Sequence, residues 1–512
     1  MDIKPLNLID GYKVDHRRQY PEETEYVYSN LTPRNSRIKG VDSIVWFGLQ
    51  YFVIEYLIKL WKQKFFDIPL EAIVEDYKRR IDNYLGPDCI PLDHIIALHN
   101  LKYLPLRIKS LPEGTIVPIG VPVLTIVNTH PDFFWLTNYF ETIMSNILWK
   151  GSTSATTAYH YRKRFEEHAA KTGYDTSFIQ WQGHDFSFRG MSGIEDAVLS
   201  GAGHLLSFTG TDTIPAIDFL EEYYRADCEK ELIGGSVPAT EHSVMSMGSK
   251  ESEIETFRRL ITELYPSGIV SIVSDTWNLW AVLTEYLPVL KEEILARDGR
   301  VVIRPDSGDP VDIICGIKGA VQHKDGKYYY YTGNPDETFG NFAWHEVPEV
   351  EAKGVYELLW DIFGGTINEK GYKILNPKIG MIYGDAITRD RQDEIFNRLE
   401  AKGFAFSNGV LGIGSFTYEY VTRDTYGFAM KATWGQVNGE EREIFKDPVT
   451  DTGFKKSAKG RLMVCKDQNG VLKLEDQCLT EDEREGELIT VFYNGSLTSV
   501  TSLETIRKRL WN

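Results

Sequence analysis

The sequence predicts an α/β protein with a βα barrel at its centre, and three observations predict it. From about residue 178 onward, short apolar runs end in polar turns and give way to helical segments, the rhythm of parallel βα units. Six or seven such units follow one another, which suits a closed barrel better than an open sheet. The first unit lacks the Gly-rich βα turn of a dinucleotide-binding sheet, and "GVLGIG" is a glycine match in the wrong context.

In chain order, "SIVWFGLQYFVIEYLIKLW" (43–61) is rich in aromatic and apolar residues interrupted by charges, and reads as a buried helix. "LPLRIKSLPEGTIVPIGVPVLTIVNT" (104–129) alternates between Pro/Gly turns and reads as short antiparallel strands; residues 132–173 read as helices. The strand candidates of the barrel are "FIQWQGHDFSFRG", "HLLSFTGTDT", "GGSVPATEHS", "IVSIVSDT", "RVVIRPDSGDP", "KIGMIYGDAI" and "GFAFSNGVLGIGS". Ser192 and Glu195 have capping-box spacing at the start of one intervening helix. The insertion at 323–346, with four consecutive tyrosines, breaks the rhythm and reads as a hairpin or loop on the barrel rim. The tail from 431 turns β-rich and ends in a helix, "SLETIRKRLWN".

A chain of 512 residues can bury two or three cores, and 42% apolar with 25% charged residues is ordinary for a globular protein. Asp plus Glu outnumber Lys plus Arg by 74 to 56, a net charge of −18, which argues against nucleic-acid or anionic-membrane partners. No apolar run reaches the ~18 residues of a membrane span. The opening "MDIKPLNLIDGYK" carries no signal-peptide core, so a cytoplasmic location is expected. Cys89, Cys228, Cys315, Cys465 and Cys478 are scattered without a CxxC pair, which reads as reduced thiols and no structural zinc.

In a βα barrel the chemistry sits where the strands end. That rule selects His184, Asp185, Phe186 and Arg189; Thr211 and Asp212; Glu241 and His242; Ser274 and Asp275; Arg304, Asp306 and Ser307; Gly384 and Asp385; Gly412, Gly414 and Ser415. Any one of these could simply cap a strand or form an internal ion pair, but seven strand ends carrying such groups together point to a ligand. Arg189 and Arg304 offer forked donors to phosphate or carboxylate. Strand-end glycines expose N–H groups that can cradle phosphate, and aspartates can hold Mg²⁺ or ribose hydroxyls. Lys446, Lys455, Lys456, Lys459 and Arg461 fall within 16 positions of an acidic chain, as either a solvated charge run or a polyphosphate clamp. A Walker-type phosphate loop is absent.

These motifs carry a resemblance. "IDGYKVDHRRQYP" (9–21), "HDFSFRGMSG" (184–193), "FTGTDT" (208–213), "SVPATEHS" (236–243), "SIVSD" (271–275), "IRPDSGDP" (303–310), "GD" (384–385), "GIGS…VTRD" (412–424) and "FKDPV…KKSAKGRL" (445–462) resemble, in order, the nicotinamide phosphoribosyltransferases. The sequence is similar to the wider type II phosphoribosyltransferase group, which includes nicotinate phosphoribosyltransferase. The resemblance implies an irregular, type II phosphoribosyltransferase-like βα barrel over 178–425, and a second α+β domain built from both chain ends, 1–177 and 426–512. It implies a homodimer with shared sites. The reaction would join nicotinamide to phosphoribosyl pyrophosphate (PRPP), with Mg²⁺ as cofactor and ATP as co-substrate, for NAD biosynthesis.

Carried over by position, Phe186 would stack on the pyridine ring with Tyr12 of the other subunit on its far face, and Arg189 and Asp212 would flank the carboxamide. His242 would be the phosphorylated histidine, supported by Glu241 and Asp275. Arg304 and Asp306 would bind ribose and pyrophosphate, with Asp306 and Asp275 toward Mg²⁺. Asp10, Ser271, Gly384, Asp385, Gly414, Ser415 and Arg423 would contact substrate, and Arg34, Lys431, Lys446 and Lys455 the phosphates. Two positions depart from the family pattern: Ser187-Phe188 stands for Gly-Tyr, and Gly414-Ser415-Phe416 for three glycines. The competing readings are a nicotinate-specific enzyme, which a carboxylate at Asp212 disfavours, a non-catalytic nucleotide-binding relative, and a glycoside hydrolase barrel, for which the cationic load is excessive.

Overall fold

In a computed structural model, which describes residues 3–332, 343–384, 386–446, 458–479 and 485–511, the chain forms two compact units. One comprises residues 157–214 and 232–420; the other, residues 1–156, 215–231 and 421–512.

The first of these is the βα barrel. Its six parallel strands are β1 (Gly183–Asp185), β2 (Gly210–Thr211), β3 (Ser267–Val273), β4 (Asp298–Arg304), β5 (Ile379–Tyr383) and β6 (Gly409–Ile413). They lie in the order β2-β1-β6-β5-β4-β3. The segment 235–239 bridges the two edges in parallel, Gly235 to Gly210 and Ala239 to Ser271. Its hydrogen bonds Thr211 N–H to Gly235 O (3.0 Å) and Ser271 N–H to Pro238 O (2.9 Å) carry the ladder across that gap. This is the irregularity of the barrel: the seventh position is held by single bridges rather than by a continuous strand.

The two-residue period of a strand decides what faces inward. Val270 and Ile272, Val301 and Ile303, Met381 and Tyr383, and Leu411 and Ile413 belong to the barrel's hydrophobic core, buried with the surrounding helices. The alternate positions, Ile269, Ser271, Val302, Arg304, Ile382 and Val410, line an internal cavity of about 380 Å³. Apolar side chains thus hold the helices on, and the polar ones fall where the cavity meets the strand ends.

The other unit is built on a seven-stranded sheet in the order 440–443, 428–437, 24–33, 124–128, 106–110, 489–493 and 496–497. Three strands from the first part of the chain are flanked by strands from its last part. Thr24–Pro33 runs antiparallel to Phe428–Val437 and pairs Asn30 with Lys431. Residues 215–231 belong here because their aromatics pack on the segment around residue 50. The Tyr51 ring meets Phe219 and Tyr223 at 4.9 and 4.8 Å, and the Tyr224 hydroxyl donates to buried Glu113 at 2.9 Å. The division therefore departs from the linear one at 177/178 and 425/426: residues 157–177 count with the barrel, and 215–231 and 421–425 with the second unit.

Two local expectations are corrected, and a third, the insertion read as a hairpin or loop, is narrowed to a hairpin. The stretch 43–61 is not one helix: Ser43–Val45 is a strand, and helix begins only at Leu49. Gly48 between them has φ 108°, open to glycine at little cost, and its N–H donates to Glu113 at 2.8 Å. The Ser192–Glu195 capping box does not form. Gly193 occupies the cap of helix Ile194–His204, and the Ser192 hydroxyl donates to Glu419 instead. The insertion is a hairpin, Tyr328–Thr332 paired with Ala343–Val347, its connecting residues 333–342 lying outside the described residues.

Candidate active site

The strands and the segments that follow them bring Phe186, Asp212, Ser271, Asp275, Arg304, Asp306, Gly384 and His242 together at the cavity and beside it. After β1 the chain turns sharply, and the turn is tied down by buried Asp185. Its carboxylate accepts the Ser187 N–H (2.9 Å) and hydroxyl (2.6 Å) on one oxygen and the Thr211 hydroxyl (3.3 Å) on the other. Ser187, where the family has glycine, therefore caps the turn that presents Phe186. The Phe186 ring lines the cavity. Gly412 lets it lie flat on β6: a Cβ at that position would fall 2.7 Å from the ring. The His184 ring lies 4.5 Å and the Arg304 guanidinium 5.5 Å from the Phe186 ring.

Asp212 faces the same cavity. One of its oxygens accepts from His184 Nε2 and from the Ser236 hydroxyl, each at 2.9 Å. Burial opposes its charge, but these donors and the Arg304 charge outweigh burial and hold the carboxyl below its ordinary pKa. Arg304 donates to Thr240 O at 3.3 Å and lies 3.8 Å from Asp306. Asp306 and Ser307 are drawn together by one oxygen of Asp275, which accepts the Asp306 N–H at 2.8 Å and the Ser307 hydroxyl at 2.5 Å. His242 Nδ1 pairs with the Thr276 hydroxyl at 3.1 Å, leaving Nε2 at 4.0 Å from Asp275 and 3.8 Å from Asp306. A Cβ at Gly384 would lie 2.1 Å from Asp306, so glycine is what lets this carboxylate close in.

Three buried polar atoms here have no hydrogen-bond partner among the described residues: Ser271 Oγ, Asp275 Oδ1 and Arg304 Nε. Leaving such atoms unpaired costs about 1–3 kcal/mol each, and ordered water, a bound ligand or an ion compensates for it. No three His, Cys, Asp or Glu side chains form a metal cage among the described residues. The unpaired Asp275 oxygen and Asp306 are hard carboxylate donors of the kind that hold Mg²⁺ jointly with substrate phosphates.

Other expected residues lie apart from this cluster. Arg189 is exposed on the turn Phe188–Gly190 and is not among the cavity-lining residues. Glu241 accepts from the Ser243 hydroxyl. Gly414 caps the short helix Ser415–Tyr418, and Ser415 packs on Gly190, where a Cβ would strike its hydroxyl. Tyr12, Asp10, Arg34, Arg423, Lys431 and Lys446 belong to the other unit. There, partial desolvation and the charges of Arg34, Lys446 and Lys13 lower the Lys431 ammonium pKa, against the pull of Glu141. Four cations thus share one patch. Asp10 accepts the Thr142 hydroxyl at 2.8 Å, and Tyr12 is 66% exposed. Asp385 and Lys455 lie outside the described residues. Sequence reading passed over Thr276 and Ser236, and singled out His184 only as a strand end; the barrel's parallel pairing is what joins His184 to Asp212.

Residues 181–483 match the nicotinate phosphoribosyltransferase (NAPRTase) family, and residues 6–67 the N-terminal domain of nicotinamide phosphoribosyltransferase. The chain is 54% identical to a nicotinamide phosphoribosyltransferase of Acinetobacter baylyi, over 99% of this chain and 97% of that one. It is 33% identical to that of Mycoplasma pneumoniae, over 90% and 95%. In fold it is similar to a nicotinate-nucleotide pyrophosphorylase of Pyrococcus furiosus (TM-score 0.55, 14% identity, 98% and 93% covered) and to human nicotinic acid phosphoribosyltransferase (TM-score 0.51, 13% identity, 98% and 92% covered). The chain belongs to the nicotinate phosphoribosyltransferase family, and within it to the nicotinamide phosphoribosyltransferases.

Proposed function

We propose that the barrel mouth joins nicotinamide to PRPP, giving nicotinamide mononucleotide and pyrophosphate for NAD biosynthesis. The observation that carries this reading is Asp212, an ionised acceptor beside the Phe186 ring in the cavity. Such a group accepts an amide N–H and repels a second carboxylate, which favours nicotinamide over nicotinate. The pyridine nitrogen owns its lone pair and needs no base. It attacks the anomeric carbon, the bond from that carbon to the pyrophosphate oxygen breaks, and the electron pair leaves with pyrophosphate. Phe186 holds the flat ring in line. Arg304, with its unpaired Nε, stabilises the departing anion. Asp275 and Asp306 would hold Mg²⁺, which when bound would neutralise pyrophosphate charge.

His242, half-exposed with Nε2 directed at two carboxylates, is the residue for phosphoryl transfer from ATP. Its nitrogen attacks the γ-phosphorus, ADP leaves, and water later releases phosphate. A homodimer fits the surface. Phe188, Ile194, Met247, Phe416 and Tyr420 are exposed apolar groups on the turns and helices that follow barrel strands or the 235–239 segment, and such groups are suited to burial against a second copy. Exposed Tyr12 and the cationic patch around Lys431 would then serve a neighbour's barrel.

Mass-spectrometric detection of product from nicotinamide, PRPP and Mg²⁺, with and without ATP, tests the reading. The mononucleotide should form and ATP should raise its yield, whereas His242→Ala should lose ATP hydrolysis and keep slow synthesis. Absence of the mononucleotide refutes the activity; a His242→Ala protein that hydrolyses ATP normally refutes that assignment.

A further inference from the structure

We infer that His184 is a positioning residue that sets amide-over-carboxylate selectivity by fixing the Asp212 carboxylate. The inference deepens the function proposed above and rests on it for its substrate readout. His184 is mostly buried, whereas its Nε2 partner, the Asp212 side chain, is 49% exposed; both line the cavity. A histidine that merely filled the core would not spend its donor on a carboxylate at the ligand surface.

The direction of control follows from what holds each group. The imidazole is clamped on two sides independently of Asp212. Gly210 abuts it so closely that a Cβ there would stand 2.8 Å from Nδ1, and the Phe186 ring lies 4.5 Å away on a 39° tilt. β1 and β2 pair His184 with Gly210 in parallel register, so the clamp is part of the barrel. Asp212 has no comparable clamp. It follows β2, its N–H donates to Asp185 O at 3.0 Å, and among the described residues its carboxylate accepts two hydrogen bonds, at 2.9 Å each from His184 and Ser236, both on the same oxygen, Oδ1. The ring is therefore the fixed part and the carboxylate the part being placed.

Because an ionised carboxylate only accepts, Nε2 must carry the hydrogen. With Oδ1 taken by two donors, Oδ2 is left to receive an N–H of the carboxamide. Release of Oδ1 would let the carboxylate rotate. The amide would lose a placed acceptor, and the repulsion that rejects nicotinate would act from a less defined position. Selectivity and nicotinamide affinity should fall together, whereas chemistry at the anomeric carbon, which depends on Arg304 and the phosphate ligands, should be spared.

The test compares His184→Leu, His184→Gln and Ser236→Ala with the unmutated protein, with KM and kcat measured for nicotinamide and for nicotinate. Leucine keeps bulk without a donor; glutamine returns an N–H at about the reach of Nε2. His184→Leu should raise the nicotinamide KM about tenfold, leave kcat within about threefold, and narrow the preference over nicotinate, as expected for loss of one charge-assisted hydrogen bond. His184→Gln should recover most of this. Ser236→Ala, a small change at an exposed residue, should shift KM and preference in the same direction by less, and it serves if His184→Leu does not fold. Equal losses for both substrates, or no rescue by glutamine, would overturn the inference. A crystal structure of Ser236→Ala and of whichever His184 variant folds reads it without substrate. Displacement of the Asp212 carboxylate supports the inference and an unmoved carboxylate overturns it, even if nicotinamide proves not to be the substrate.

Discussion

Replacing Gly412 by alanine should damage base binding more than a single methyl group suggests. The new Cβ would stand 2.6 Å from Gly384 O, 2.7 Å from Tyr383 O and 2.7 Å from Phe186 Cδ2. All are closer than real Cβ contacts, and two are backbone oxygens that cannot swing aside. The two oxygens force β5 and β6 apart slightly, which overpacking data place at about 1–3 kcal/mol of stability, and the third contact tips the Phe186 ring off its bed. Tilting it would forfeit an aromatic contact with the pyridine worth on the order of 1 kcal/mol beyond its area, or about a fivefold rise in KM. Steady-state kinetics with PRPP saturating should therefore show a higher nicotinamide KM, with a smaller change in the PRPP KM, and thermal unfolding should shift down modestly. A folded Gly412→Ala protein with unchanged nicotinamide KM would refute the placement of the base on Phe186.

Two further outcomes are expected. Tyr12→Ala and Arg304→Ala proteins, each nearly inactive, should regain about a quarter of full activity after subunit exchange, because random mixing makes half the dimers mixed with one intact site in each. No recovery in a sample shown by native mass spectrometry to contain mixed dimers refutes shared sites. Separately, burial lowers His94 to about 3 and His168 and His204 to about 4, from 6.5. Between pH 6.5 and about 4 the unfolded chain binds protons that these folded rings refuse, so stability falls as pH drops through that window, by on the order of 1 kcal/mol per pH unit for each ring. Urea midpoints at pH 7 and pH 5 check this; equal midpoints contradict it.

The barrel was legible because its strands are buried on both faces and end in turn residues, a local pattern. All seven strand candidates contribute, even "GGSVPATEHS", whose segment 235–239 joins the barrel through single bridges. What was not legible depends on partners distant in sequence. Glu113 draws in the Gly48 N–H and turns an apparent single helix into strand and helix. Tyr51 recruits Phe219 and Tyr223 across more than 160 positions and takes residues 215–231 out of the barrel unit. At the site, Arg304, Asp306 and His242 could be found because they end strands or follow them closely. The His184–Asp212 pair could not, since it exists only once β1 and β2 lie side by side. Ser187, a departure from the family pattern in sequence, proves to be a cap on buried Asp185.

If the barrel mouth selects nicotinamide through the Asp212 carboxylate, direct competition between the two bases shows it. Equimolar nicotinamide and nicotinate are offered together with limiting PRPP and Mg²⁺, and the two mononucleotides are quantified by mass. Like-charge repulsion and a lost hydrogen bond together are worth about 3 kcal/mol, so nicotinamide mononucleotide should exceed its acid counterpart by about a hundredfold or more. Asp212→Asn should bring the ratio down sharply. A product mixture near equality from the unmutated protein, or one dominated by the acid, would contradict the account.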